Sequence, residues 1–291
     1  MKNIMILMIA GAALCGVFAA ACRGSLSPRE NLASNLGVCT SPENSDAVGA
    51  AGFGYIEPSV GGFLIPEDSD EDFAPNLELA KASSLPLRCA NGFYPTYIKL
   101  TGPEADIDRA VNYAAVAFER AEMVGITTIV LGSGGAREIP EGFDRDEARG
   151  QFVELMRQLG PLARAHGITV AIEPLRTQEC NFINSVREGT SIAREVAHPN
   201  IGVLADIYHM TQVGEGPDAI VEAGSLLKHC HIAENARRTP PGVDGDDFNA
   251  YFDALEQIGY TGRVSVECSW GDFEAELPVA HETMIKQILK K

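Results

Sequence analysis

Four apolar runs in the second half of the chain each end abruptly in a carboxylate or an imidazole. They are Ile172-Glu173-Pro174-Leu175, Leu204-Ala205-Asp206, Lys228-His229-Cys230-His231 and Val266-Glu267. An ordinary strand would end in a turn instead. Parallel strands closed into a barrel bring their C-terminal ends to one face, so side chains placed there converge. The pattern therefore predicts one metal site built from Glu173, Asp206, His231 and Glu267, and it restricts the fold to one that gathers strand ends.

From residue 36 onward, strand-like runs alternate with helical patterns. The strand candidates are Leu36–Cys39, Gly54–Val60, Leu85–Cys89, Thr127–Leu131, Ile168–Glu173, Ile201–Asp206, Leu226–His231 and Arg263–Glu267. Between them, Ile107–Val124 repeats apolar residues at three- and four-residue spacing. Asp144–His166 does the same through Phe152, Leu155, Met156, Leu159 and Leu162, and Gly167 stops it. Val186–Val196, Pro217–Leu227, Phe248–Ile258 and Phe273–Leu289 supply the later helices. Eight strands alternating with helices predict an α/β fold, a (β/α)8 TIM barrel occupying residues 36–291 as a single domain. The 291 residues and 45% hydrophobic content suffice for one large core. A doubly wound open sheet is the alternative, but Gly132-Ser133-Gly134-Gly135-Ala136-Arg137 lacks the third glycine of a dinucleotide loop. The acidic, irregular residues 61–84 suit a long loop and a short helix over the barrel mouth.

Residues 1–22 read as an export signal. Lys2 gives a positive start, the stretch from Ile4 to Ala21 is apolar and uncharged, and Ala19-Ala20-Ala21-Cys22 resembles a bacterial lipobox, in which the cysteine is lipidated. A plain signal peptide and an uncleaved anchor are the alternatives. Residues 23–35 are polar and breaker-rich, as a flexible tether is. The expected location is the periplasm or a membrane surface, with membrane contact only through the N-terminal lipid.

A net charge of −17 argues against nucleic acid as a partner, since binding a phosphate backbone needs a basic patch and no Lys/Arg run exists. Of the seven cysteines, Cys15 falls within the signal and Cys22 would carry lipid. The other five lie mostly in or beside apolar runs. Side chains alternate along a strand, so Cys230 points away from the face of His231 and Cys268 from that of Glu267. They are expected as small buried hydrophobes in the strand–helix layer rather than as bridges.

Three carboxylates with one imidazole form a hard, oxygen-rich site. It suits one divalent ion, Mn²⁺ first, with Mg²⁺, Co²⁺ or Zn²⁺ as alternatives. Such an ion polarises a carbonyl and its neighbouring hydroxyl and acidifies the C–H between them. Glu173 and Glu267, reaching in from strands five and eight, face each other, so that one can take a proton and the other return it.

The motifs Ile-Glu173-Pro-Leu, Asp206-x-x-His209, His231-x-x-Glu234-x-x-Arg237 and Val-Glu267, in this order, resemble the sugar isomerase/epimerase superfamily of xylose-isomerase-like barrels, and the ketose 3-epimerases (tagatose and psicose epimerases) in particular. The resemblance covers residue 36 to the end. It implies that Glu173, Asp206, His231 and Glu267 hold the metal, that Glu173 and Glu267 are the catalytic proton-transfer pair, and that Glu179, His209 and Arg237 bind substrate. Glu179 stands six residues after Glu173, as in the epimerases, although the intervening Arg176-Thr177-Gln178 differs from their usual sequence. Asn181 and Asn184 also stand within reach. The resemblance further implies a homo-oligomer, since many relatives pair.

Other residues have competing roles. Glu57 either faces the mouth and touches substrate or only begins the turn that Pro58 enforces. His229 lies one layer below His231 on the same strand face, where hydrogen bonding suits it better than ligation. His166 ends a helix and is structural. His198 and His281 are expected at the surface, as is Arg238. Trp270, Phe93 and Tyr94 are candidates for packing on a sugar face or closing the rim.

The expected function is a metal-dependent sugar isomerase or epimerase, transferring a proton through a metal-bound enediolate. Export disfavours a sugar phosphate as substrate, and no cluster of basic residues at strand ends offers a phosphate site, so an unphosphorylated sugar or keto-sugar is expected. The alternatives are a lyase that cleaves oxidised 3-keto-glycosides by β-elimination, and a non-catalytic carbohydrate-binding surface lipoprotein. An abasic-site endonuclease of the same fold would need more histidine ligands than six histidines supply, and a basic groove.

Overall fold

The computed structural model describes residues 26–290. Within it, eight strands run parallel in one sheet: β1 (Leu36–Cys39), β2 (Tyr55–Glu57), β3 (Cys89–Ala90), β4 (Thr128–Leu131), β5 (Thr169–Ile172), β6 (Ile201–Asp206), β7 (Leu227–Ile232) and β8 (Val264–Val266). Their order, β2-β1-β8-β7-β6-β5-β4-β3, is that of a barrel opened between β2 and β3. That seam is nearly closed. Ile56 N donates to Pro86 O at 3.1 Å and Arg88 N to Ile56 O at 3.2 Å, and Ser59 bridges Asn91. The chain is a single-domain TIM barrel, as the alternation of periods predicted.

Helices lie between the strands and bury their apolar stripes against the outside of the barrel. Ile107–Val124 and Arg145–Ala165 are each capped by an aspartate, Asp106 and Asp144, whose side chain accepts the backbone N–H three residues on. Strand three is shorter than its apolar run suggested, because Leu85 to Arg88 make only bridge contacts along the seam. Residues 61–84 are more ordered than an irregular loop. A helix, Asp70–Ala82, starts from a Ser69/Asp72 capping box, and the buried Arg120 ties the preceding loop to it through Leu64 O (3.0 Å) and Asp68 O (2.8 Å).

Part of the stretch expected as a tether, residues 23–35, is helix instead. Pro28–Ala33 form a helix that begins with a Ser27/Glu30 capping box. Arg29 from that helix donates to Glu256 Oε2 at 2.7 Å and to Ile288 O at 2.5 Å, which anchors the segment to the last helix, Phe273–Ile288. A long-range ion pair overrode the local breaker signal. The export signal and Cys22 lie outside the described residues. Among the described residues no helix is long and apolar enough to cross a membrane.

The barrel interior is divided. Val130, Ala171 and Leu204 form a small apolar layer on β4, β5 and β6. On the other side, Tyr55, Cys89, His229 and Ser265 make a polar layer, with Tyr55 Oη 2.7 Å from Ser265 Oγ. Gly37 on β1 makes room for it, since a Cβ there would lie 2.3 Å from the Tyr55 ring.

Candidate active site

The ends of β5, β6, β7 and β8 bring Glu173, Asp206, His231 and Glu267 together, with one ligand-capable atom of each lying within 4.8 Å of the others. The geometry thus assembles the four residues singled out in the sequence. His231 presents Nδ1 to the cluster, 3.1 Å from Glu173 Oε1 and 3.5 Å from Glu267 Oε2. Its other nitrogen, Nε2, faces Glu57 Oε1 at 2.9 Å. Glu57 Oε2 in turn meets His229 Nε2 at 2.8 Å and accepts from Ser265. Glu57 therefore does more than begin the turn at Pro58. It sits beneath His231 and fixes which nitrogen the ring offers to the cluster. A polar residue at the end of a short second strand was the only signal available, because its partners are 172 and 174 residues away.

Charge and burial set the acidities. Burial, reinforced by Glu267, raises the Asp206 carboxyl to about 6. Burial and Glu267 also raise Glu173. Burial works the same way on Glu267, but His231 and Arg238 outweigh it and hold that carboxyl low. Burial alone would lower His231; Glu57, Cys39 and Glu267 reverse this and raise it well above the usual imidazole value. His229 stays below the usual imidazole value because burial outweighs its bond to Glu57.

Two buried polar atoms in the cluster, Asp206 Oδ2 and His209 Nε2, have no hydrogen-bond partner among the described residues. They stand 3.4 Å apart, yet neither bonds the other. Unpartnered buried oxygen and nitrogen atoms are costly, and a bound ion or water is among the things that satisfy them. Three carboxylates, an imidazole nitrogen and an orphaned carboxylate oxygen fit a hard divalent ion. Gly132 at the end of β4 belongs to the same construction, because a Cβ there would lie 2.2 Å from Glu173 Oε2. The fully buried Arg137 holds the end of β5 by donating from Nη2 to Glu173 O at 2.7 Å.

Of the residues expected to contact substrate, Glu179 and His209 line a pocket of about 240 Å³ beside Glu173 and Glu267. Arg237 does not. Its side chain is 66% exposed and pairs with Asp244. Arg238, expected at the surface, takes the place instead. It pairs with Glu267, lies 3.8 Å from Asp206 and 3.7 Å from Glu179, and stacks over Tyr208. The reason is the loop after β7. Buried Glu234 gathers the N–H groups of Gly242 (2.7 Å), Gly245 (2.9 Å) and Asp246 (3.1 Å), and Arg238 turns inward on a left-handed backbone, φ 56°. Six-residue spacing cannot register such a turn.

Among the other residues read from the sequence, some expectations hold and some change. Asn181 and Asn184 hold backbone, the first at Ile139 and the second at Leu175 O and Cys180 O. Phe93 and Tyr94 are buried and stack on each other. Trp270 packs edge-on against Phe273 at the rim. His166 pairs with Glu122 at 2.7 Å. His198 and His281 are half-buried rather than at the surface, and His281 packs against Phe53. The five described cysteines are free. Cys230 sits in the strand–helix core as expected, but Cys39 and Cys89 point into the barrel, each 3.9 Å from a histidine.

Residues 45–288 match the xylose isomerase-like TIM barrel family. The chain belongs to that family. Among its relatives, the L-ribulose 3-epimerase of a Methylomonas species is 29% identical over 222 residues, 75% of this chain and 74% of that one. The D-psicose 3-epimerase of Agrobacterium fabrum is 31% identical over 232 residues, 76% and 77% of the two chains. The fold also superposes on the 3-keto-D-glucoside 4-epimerase of E. coli, with a TM-score of 0.73 at 22% identity over 87% of this chain and 98% of that one. The two sequence relatives are named as sugar 3-epimerases, and a 2-oxo-tetronate isomerase of Cupriavidus necator is 31% identical over 58% of this chain and 64% of its own. The lyase alternative is not favoured by them.

Proposed function

We propose that this protein is a divalent-metal-dependent epimerase or isomerase of an unphosphorylated sugar, acting at a carbon beside a carbonyl. The observation that carries this is the buried cluster of Glu173, Asp206, His231 and Glu267, with its unpartnered Asp206 oxygen. The names of the relatives support the reaction class. A divalent ion held by these four residues, Mn²⁺ as the first candidate, would polarise the substrate carbonyl and acidify the neighbouring C–H.

The chain's own residues supply the rest. One of Glu173 and Glu267 takes the proton from carbon, and the opposing carboxylate gives one back. Return to the same carbon from the other face epimerises; return to the adjacent carbon isomerises. The bonds broken and formed are C–H and O–H only; the proton that the opposing carboxylate gives comes from solvent water, and the one abstracted returns to it. Glu179, His209 and Arg238 line the pocket and orient hydroxyl groups. An exported, lipid-anchored location is part of the same proposal, supported by the character of residues 1–22.

The test is proton NMR in D₂O with protein lacking residues 1–22, loaded with Mn²⁺ and then exchanged for diamagnetic Mg²⁺ for the spectra. Deuterium entering a ketose or keto-sugar that otherwise survives supports the proposal and locates the reacting carbon. Bound sugar with no exchange across such a panel would reduce the site to a binder and sink it.

A further inference from the structure

The pocket that holds Glu179, His209 and Arg238 is small, about 240 Å³, below the roughly 300–1,000 Å³ usual for small-molecule sites. A second cavity of about 530 Å³ lies on the other side of the ligand cluster, over β1 and β2. Asn91 and Glu267 line both, so the two spaces adjoin at the proposed reacting centre. The first pocket and its carboxylates account for a sugar's reacting carbons. More than half of the combined space remains.

The second cavity has the chemistry of a sugar-ring site. Thr40, Ser41, Ser59 and Asn91 provide hydroxyl and amide groups, and Phe63 and Leu79 provide apolar wall for the C–H face of a ring. Some of these polar groups are underused. Ser41 Oγ reaches Glu43 only at 3.4 Å, and Asn91 Nδ2 reaches Glu267 only at 3.4 Å. Thr40 Oγ1 accepts from Asn44 at 2.7 Å, which leaves its own proton to donate. No Lys or Arg lines this cavity, whereas Glu43, Glu57 and Glu267 do. A phosphate or carboxylate group finds no cationic side chain there, whereas neutral hydroxyls find Thr40, Ser41 and Asn91.

We propose that the substrate is a neutral keto-glycoside of two sugar rings, the reacting ring at the ligand cluster and the second ring in the cavity over β1 and β2. This rests on the sugar epimerase or isomerase reading of the cluster and names its substrate class. The cavity also makes residues far from the chemistry determine specificity: Ser41 on the β1 loop and Leu79 on the helix Asp70–Ala82.

The experiment compares two sugars with the same reacting ring, methyl 3-keto-glucoside and 3-keto-cellobiose, by solvent deuterium exchange with the Mg²⁺-loaded protein. The expected result is a kcat/KM about tenfold or more higher for the two-ring sugar, expressed mainly in KM. Ser41→Trp and Leu79→Phe, each filling the cavity from a different element, should each lower the ratio of the two values by about tenfold. Equal kcat/KM for the two sugars, or a ratio that neither variant moves, overturns the proposal while leaving the reaction class intact. Exchange into neither sugar, but into a free ketose, also overturns it. Exchange into none of the three overturns the reaction class, and the proposal with it.

Discussion

Glu57 Oε1 stands 2.9 Å from His231 Nε2, so the imidazole that turns Nδ1 to the ligand cluster is gripped from beneath by a carboxylate. Both nitrogens of the ring are thereby committed, one to the mouth of the barrel and one to its interior. A histidine held in this way is fixed in angle before any ion arrives, and the proton it keeps on losing Nδ1–H is the one that faces Glu57.

Glu57→Gln should therefore weaken metal binding while leaving all four ligands in place. The expected loss of Mn²⁺ affinity is about 10–100-fold, read by the EPR signal of free Mn²⁺ in a titration. Unchanged affinity in a folded variant would show that the ring needs no support.

Arg237 and Arg238 are adjacent yet should behave oppositely. Arg238→Ala removes the cation that faces Glu267, Asp206 and Glu179, and should cost about tenfold or more in kcat/KM for the sugar. Arg237→Ala breaks an exposed pair with Asp244 and should stay within about twofold. Reversed effects would mean that the loop after β7 turns the other way when substrate binds.

Glu173→Gln and Glu267→Gln each remove one end of the proposed proton path. Each should slow deuterium exchange by roughly 10²–10⁴-fold. Retained exchange in either variant would require a different base.

Metal affinity should rise with pH. Burial and Glu267 raise the Asp206 carboxyl to about 6 in the folded, empty protein. That pKa lies above the unfolded value of about 4, so the associated stability is present at low pH and is lost as pH rises through about 6. A bound ion requires the ionised carboxylate and replaces the proton. His231, also raised and needing to free Nδ1, acts in the same direction. The gap in Tm between loaded and empty protein should widen from pH 5 to pH 7.5. A gap independent of pH would argue against ligation by Asp206.

Arg29→Ala should release the first helix from the last. Its guanidinium is mostly buried and bonds both Glu256 and the backbone of Ile288. A loss of about 2 kcal/mol in urea denaturation is expected. A change near zero would return residues 28–33 to the tether that their composition suggested.

What could be read from the sequence was what local pattern controls. Strand and helix periods gave the barrel, and Glu173, Asp206, His231 and Glu267 stood out because each broke an apolar run. Partners distant in sequence were hidden. Nothing near Glu57 announces that His229 and His231 will close on it, and nothing near Arg29 announces Glu256 or Ile288. The exchange of Arg237 for Arg238 turned on one backbone angle. Pattern locates elements and their ends; it does not aim side chains in an irregular loop.

Gly132 carries a consequence of its own. With a Cβ there placed 2.2 Å from the Glu173 carboxylate, the end of β4 is bare backbone beside the proposed base. Anyone wishing to redirect this barrel to another substrate will find that wall closed to mutation. Retuning would have to come from the opposite bank, where Ser41, Ser59 and Leu79 can change size without touching the acids.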